Sequence, residues 1–213
     1  PAPVTGTHFL RRSDTVNVGK KTAVLIVDLQ NSLTREGGAN YYPTAGEMML
    51  HVCTQLKKLR DEGAQLVYIW TKEGESSGLS CRAHLYNPEL SGRLMPISDE
   101  HWMELDDRLP IDLEQDLILR KFTYSAFWGT PLLKILEQKG IENVLVCGIK
   151  TNVCCRQTIL DSASHGFRTY MLRDMTSTND EEIKTYHLEE IDKYFAKVLD
   201  SDEAIRRLHD GEF

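Results

Sequence analysis

Short, mostly apolar runs alternate along this chain with longer stretches whose apolar residues recur at helical spacing. AVLIVD at 23–28, QLVYIW at 65–70, LILRKF at 117–122, VLVCGI at 144–149 and RTYMLRD at 168–174 have the length of strands. Near-continuous apolar character, as in the first and fourth, fits strands covered on both faces, which is the habit of parallel sheets. Helical patterns separate them. Over 44–62, Met48, Met49, Val52, Leu56 and Leu59 fall at helical spacing, and PLLKILEQKG at 131–140 follows the third strand. A helix is predicted to begin at the cysteine pair after VLVCGI. An acidic amphipathic helix is predicted over 180–195, then a short KVLD run and a last helical turn. The repeated β-then-α order predicts an α/β fold: a three-layer, doubly wound, mainly parallel sheet with helices on both faces.

Residues 71–110, rich in Gly, Ser, Pro and Asp, form an excursion long for a structureless loop, and are expected to hold short helices and cover the site. There is no internal repeat and no low-complexity linker, so one domain over 1–213, with 1–20 as an N-terminal extension, is the expected organisation.

Three strand ends carry reactive side chains. Asp28 ends AVLIVD, Lys121 ends DLILRK, and Cys154 stands six residues after the glycine of VLVCG (Gly148), next to Cys155. Open α/β proteins hold their ligands at the carboxyl ends of their strands, where a following helix also presents bare N–H groups. A thiol with an ordinary pKa near 8.5 is mostly protonated at neutral pH, so a nucleophilic cysteine needs a base to take its proton or a cation to favour the thiolate. Asp28 and Lys121 are one of each. Taken singly, each has a blander reading: a solvated strand-end acid or helix cap, a surface lysine, a small core thiol. Their arrangement at three strand ends favours the chemical one.

Composition narrows the partners. The net charge of −7, from 25 basic and 32 acidic residues, opposes a general affinity for nucleic acid, and no Lys/Arg-rich run counters it. Five cysteines at irregular spacing make neither a disulfide framework nor a zinc ribbon, and read as reduced thiols of a cytoplasmic protein. No apolar stretch approaches the roughly 18 residues of a membrane span.

With VLIVDLQN, RKFTYSAFWGTPL and VLVCGIKTNVCC in this order, the chain resembles the isochorismatase-like cysteine hydrolases over about 21–176. That group includes nicotinamidases, N-carbamoylsarcosine amidohydrolase, ureidoacrylate amidohydrolase and biuret hydrolases. The resemblance carries the family's catalytic Asp, Lys and Cys onto Asp28, Lys121 and Cys154, while Cys155 falls where the family usually has valine. It implies that Asp28 takes the thiol proton and passes it to the leaving amine, while Lys121 stabilises the thiolate and holds Asp28 ionised. A thioester then forms and is hydrolysed. Backbone N–H groups of Thr151 and Cys154 would hold the oxyanion. A cis peptide is expected before Thr151, with Lys150 where the family often has alanine.

Substrate contacts are expected from Gln30, which shares a strand face with Asp28 by period two, from Lys150, and from a wall of Tyr124, Phe127 and Trp128. Cys155 points about 100° away from Cys154 around a helix and is assigned to packing, with Cys53, Cys81 and Cys147. The Asp-x-His metal motif of nicotinamidases is missing from TKEGESSGLSCRAH at 71–84, where His84 stands alone, so no metal and no cofactor are expected. TKEG resembles the TREG of the ureido-hydrolysing branch, and retention of Cys154 favours a C–N bond over the vinyl ether of isochorismate. Isochorismate hydrolysis with an idle thiol, and a catalytically silent binding or scaffold subunit, are the alternatives. A small-molecule substrate and a homo-oligomer, dimer or tetramer, complete the expectations.

Overall fold

The computed structural model describes residues 21–71 and 100–213. The expected N-terminal extension, Cys81, His84 and most of the excursion lie outside them. The described strands are β1 (Thr22–Val27), β2 (Gln65–Thr71), β3 (Leu117–Lys121), β4 (Asn143–Ile149), β5 (Arg168–Ser177) and β6 (Lys197–Leu199). They form one sheet of order β3-β2-β1-β4-β5-β6 in which every neighbouring pair is parallel. The sheet expected to be mainly parallel is thus wholly so among the described residues.

β1 lies in the middle. The chain steps outward to β2 and β3, returns past β1 to β4, and steps outward the other way to β5 and β6. The direction of winding reverses between β1 and β4, so the loops leaving these two strands diverge and open a crevice at the carboxyl edge of the sheet. Asp28 follows the first and Cys154 the second.

Period-two alternation divides the core. Val24 and Ile26 of β1 face a layer with α3 (Met49–Asp61) and α8 (Ser201–His209), including Val52, Leu56, Leu59 and Ala204. Ala23, Leu25 and Val27 face the other layer, with α5 (Leu132–Gln138), α6 (Arg156–Ser164) and α7 (Glu181–Tyr194) supplying Leu132, Leu136, Ile159 and Ile191. All residues of β1 and β4 are buried, whereas the edge strand β3 exposes Ile118.

The single helix expected over 44–62 is two: α2 (Pro43–Glu47), then α3, with Met48 between them. Pro43 suits a first helical turn. The Met48 N–H is shared between Gly46 O and Thr44 O, a tightened turn that ends α2. Asp180 caps α7 by accepting from the N–H groups of Glu182 and Ile183. β5 runs three residues beyond the expected RTYMLRD, and the last helical turn is the nine-residue α8. Short α1 (Asn31–Thr34) and α4 (Glu100–Met103) complete the set, the latter a described part of the excursion. None of the described helices is long and apolar enough to cross a membrane.

β4 presses closely on β1 at one point. Gly148 has φ +117°, and a Cβ there would meet Val27 O at 2.0 Å. Only glycine accepts both the conformation and the approach. The β4–β5 register shifts at the same place.

Candidate active site

Asp28 leaves β1 in the left-handed region, φ 54°, with its N–H donating to Ile69 O of β2 at 2.8 Å. This is uncommon for a residue with a Cβ, though Asp is among those that tolerate it. Its carboxylate is 4% exposed. Lys121 belongs to β3, two strands from β1, and its side chain spans β2 to reach the acid. Its Nζ lies 2.8 Å from Asp28 Oδ2, 2.9 Å from the carbonyl of Thr123 and 3.6 Å from Cys154 Sγ. The three N–H donors of the ammonium thus have three acceptors, which is how a lysine only 1% exposed is accommodated.

Cys154 sits in a π-helical turn, Thr151–Cys155, between β4 and α6. Lys150 O accepts from the N–H groups of both Val153 and Cys155, and Thr151 O accepts from Arg156 N–H. Such single π turns are often found at functional sites. Side chains from β5 brace the turn: Thr151 Oγ1 pairs with Thr176 Oγ1 at 2.9 Å, Thr176 donates to Gly148 O, and Thr178 donates to Asn152 Oδ1 at 2.9 Å. The cis peptide expected before Thr151 lies one bond earlier, between Ile149 and Lys150. Cys155 is fully buried in the core, as are Cys147 and most of the β4 side chains, while half-buried Cys53 donates to Arg108 O.

Burial pushes the Cys154 thiol up to about 12; the charge of Lys121 opposes this, and Asp28, by its charge and by accepting a hydrogen bond, reinforces it. Burial alone would lower Lys121, but Asp28 and Cys154 together hold its ammonium above the ordinary lysine value. Burial thus favours the neutral form of the thiol, which sits beside the contact between Lys121 and Asp28.

Two of the expected contacts are placed differently. Gln30 is fully buried with both ends of its amide committed: Oε1 accepts from Thr71 N–H, and Nε2 donates to Thr71 O and Met103 O. It ties β2 and α4 to the end of β1 and is not available to orient a substrate amide. Phe127 turns into the core against His165 and Phe167 rather than walling a pocket. Phe167 directly precedes β5, at the opposite edge of the sheet from Cys154. Trp128 is 47% exposed and Tyr124 is also exposed. Lys150 is half-buried at the carboxyl edge. A cavity of about 620 Å³ lies against α1, bounded by Arg35, Tyr41, Trp102 and Arg108, and none of the three reactive residues lines it.

Thr71 was not singled out from the sequence. Its Oγ1 donates to Asp28 Oδ1 at 2.9 Å, fixing the carboxylate so that Oδ2 faces Lys121. The available signal was its position as the last residue of the strand QLVYIWT, beside Lys121 in register.

His101, Glu104 and Asp107 bring possible metal-ligating atoms within 4.8 Å of one another, all exposed. His101 faces Glu104 at 3.9 Å, and Asp107 is paired with Arg35 at 3.3 Å. They are oxygen and nitrogen donors on the surface, and no contact joins them to Cys154.

The model of the isochorismatase domain matches residues 22–203. N-carbamoylsarcosine amidase of an Arthrobacter species is 27% identical over 204 residues, covering 94% of this chain and 75% of that one. Ureidoacrylate amidohydrolase RutB of Klebsiella pneumoniae (strain 342) is 30% identical over 179 residues, covering 74% and 73%. Among solved structures, a cysteine hydrolase from Pseudomonas syringae pv. phaseolicola 1448A superposes with a TM-score of 0.80 at 23% identity, covering 89% of this chain and 93% of that one, a likeness of fold. The chain belongs to the isochorismatase family of hydrolases, with amidohydrolases of non-peptide C–N bonds among its relatives.

Proposed function

We propose that this protein is a cysteine hydrolase that cleaves a C–N bond of a small amide or ureido compound through a thioester, releasing ammonia or a small amine. The observation that carries the reading is the meeting of Asp28, Lys121 and Cys154 from three separate strand ends, with Nζ at 2.8 Å from the acid and 3.6 Å from the thiol. Asp28 takes the proton as Sγ attacks the substrate carbonyl carbon, so no free thiolate need accumulate beforehand. The negative charge passes from the carboxylate to the carbonyl oxygen, where N–H groups of Thr151 and Cys154 stabilise it. Lys121 stays within reach of both Oδ2 and Sγ, so its charge favours the sulfur while the proton is in transit. Collapse of the tetrahedral species breaks the C–N bond, and the leaving nitrogen takes the proton from Asp28. Water then attacks the thioester with Asp28 as base, and Sγ leaves and is reprotonated.

Support comes from the retained thiol and from relatives named as amidases and amidohydrolases. The test is ammonia release from ureido acids, carbamoyl amino acids, biuret, simple amides and nicotinamide, with isochorismate alongside. Turnover of a C–N substrate, lost in Cys154→Ala and accompanied by an acyl adduct on Cys154 in mass spectra, is expected, with nicotinamide poor. Cleavage of isochorismate alone, retained in Cys154→Ala, would replace the amide reading with the vinyl-ether one, and no turnover at all would leave the silent-subunit reading.

A further inference from the structure

A second lysine stands at the same edge of the sheet. Lys150 follows the cis bond at the end of β4, and its carbonyl anchors the turn that carries Cys154. Its half-buried ammonium lies 5.4 Å from the centroid of the Tyr42 ring and 3.2 Å from Asn179 Oδ1, just past the end of β5. Several other cations with restricted exposure have acids: Lys121 has Asp28, Arg60 has Asp116, and Arg156 has Glu190. Lys150 has a ring face and a neutral amide oxygen, and no carboxylate lies within 4.0 Å among the described residues. Burial lowers its pKa, and Lys150 stands directly before the Thr151–Cys155 turn that carries the thiol.

A cation taken partly out of water without an anion is held at a cost that an arriving anion removes. Tyr42 lends the ammonium some stabilisation through its ring face. Asn179 is exposed, and its oxygen accepts from both Lys150 and Thr178, which leaves its amide N–H₂ facing outward beside the ammonium. An ammonium beside an amide N–H₂ matches the two oxygens of a carboxylate.

We propose that Lys150, with Asn179, binds a carboxylate on the substrate, so that the preferred substrates are ureido or amide acids rather than their uncharged analogues. This rests on the hydrolase reading above and adds to it the charge of the substrate and the residue that reads it.

The test compares ureidoacetate with propylurea, similar in length and differing in charge, by ammonia release in the wild type, Lys150→Met and Lys150→Arg. The wild type is expected to favour ureidoacetate in kcat/KM. Lys150→Met should lose about 10- to 100-fold more on ureidoacetate than on propylurea, chiefly through KM, as for a lost hydrogen bond to a charged group. Lys150→Arg should recover part of the preference. Equal losses on both compounds, or no preference in the wild type, would overturn the assignment. Should neither compound release ammonia, the hydrolase reading is in question separately. Calorimetry of ureidoacetate with Cys154→Ala and Cys154→Ala/Lys150→Met protein then decides: binding weakened tenfold or more by the second change supports Lys150, while equal or undetectable binding to both refutes it.

Discussion

Lys121 and Asp28 are nearly inaccessible to solvent, and their contact at 2.8 Å makes a stability prediction that needs no substrate. Lys121→Met keeps the length of the side chain and removes its charge, leaving Asp28 buried with the Thr71 hydroxyl on Oδ1 and no cation on Oδ2. Breaking a buried pair by removing one partner costs about 3–5 kcal/mol, most of it the penalty of an uncompensated buried charge. Asp28→Asn likewise leaves the buried ammonium with neutral acceptors, Thr123 O and Cys154 Sγ among them, in place of the carboxylate. The double variant leaves no buried charge, and a neutral pair of similar volume is tolerated about as well as the ion pair. Urea unfolding followed by circular dichroism should therefore place each single variant about 3–5 kcal/mol below the wild type and the double within about 2 kcal/mol of it. A domain of ordinary stability, about 5–15 kcal/mol, keeps the singles measurable. Additivity is the refuting result: a double variant as unstable as the sum of the singles would mean that the two charges do not compensate each other.

Other perturbations separate the roles of neighbouring residues. Gly148→Ala should destabilise by at least about 3 kcal/mol, because its Cβ would meet Val27 O at 2.0 Å at a φ of +117°, and an unchanged unfolding midpoint would contradict the close β1–β4 approach. Cys155→Ala should retain most activity and lose a little packing, whereas Cys154→Ser should abolish turnover; equal losses would sink the assignment. Thr71→Val should lower kcat about tenfold or more by releasing Asp28 Oδ1, with the backbone ties of Thr71 to Gln30 kept, and an unchanged kcat would show that the hydroxyl does not position the acid. The raised Cys154 pKa also has a linkage consequence. The folded thiol stays protonated to about 12 while the unfolded one ionises near 9, so its stabilising contribution is complete below pH 9 and is lost as pH rises from 9 towards 12. Between pH 8 and pH 10 the wild type should lose about 1.4 kcal/mol relative to Cys154→Ala. A mutational difference independent of pH would show that the thiol is not held protonated.

Asp28, Lys121 and Cys154 were legible in the sequence because reactive residue types rarely end three apolar runs by chance, and strand ends are where a wound sheet exposes side chains. The way they meet was not legible. Strand order is a non-local property, and only the placement of β2 between β1 and β3 makes Lys121 reach across a whole strand. Gln30 shows the opposite limit. Period two would put it on the face of Asp28, but β1 ends at Val27 and Asp28 enters the left-handed region, so the alternation stops one residue before it was applied. Phe127 failed for a different reason: an aromatic residue near a turn satisfies core and pocket patterns equally, and only packing chooses.

The charge the site can hold limits where the thiol proton can go. Asp28 and Lys121 already cancel, and each occupies the other at 2.8 Å. A thiolate that lost its proton to solvent would add a negative charge next to a carboxylate, whereas one that passed its proton to Asp28 would leave the net charge unchanged. With the proton on sulfur the cluster is neutral, and in the proposed attack the proton and the negative charge trade places: Asp28 would become neutral as the carbonyl oxygen becomes the anion. At each stage one cation faces one anion, so no step requires burying a net charge. This makes Lys121 a constant rather than a switch. It also explains why an ammonium, with its three separate donors, suits the position: the charge can move between carboxylate and sulfur while the lysine keeps its anchor on the Thr123 carbonyl.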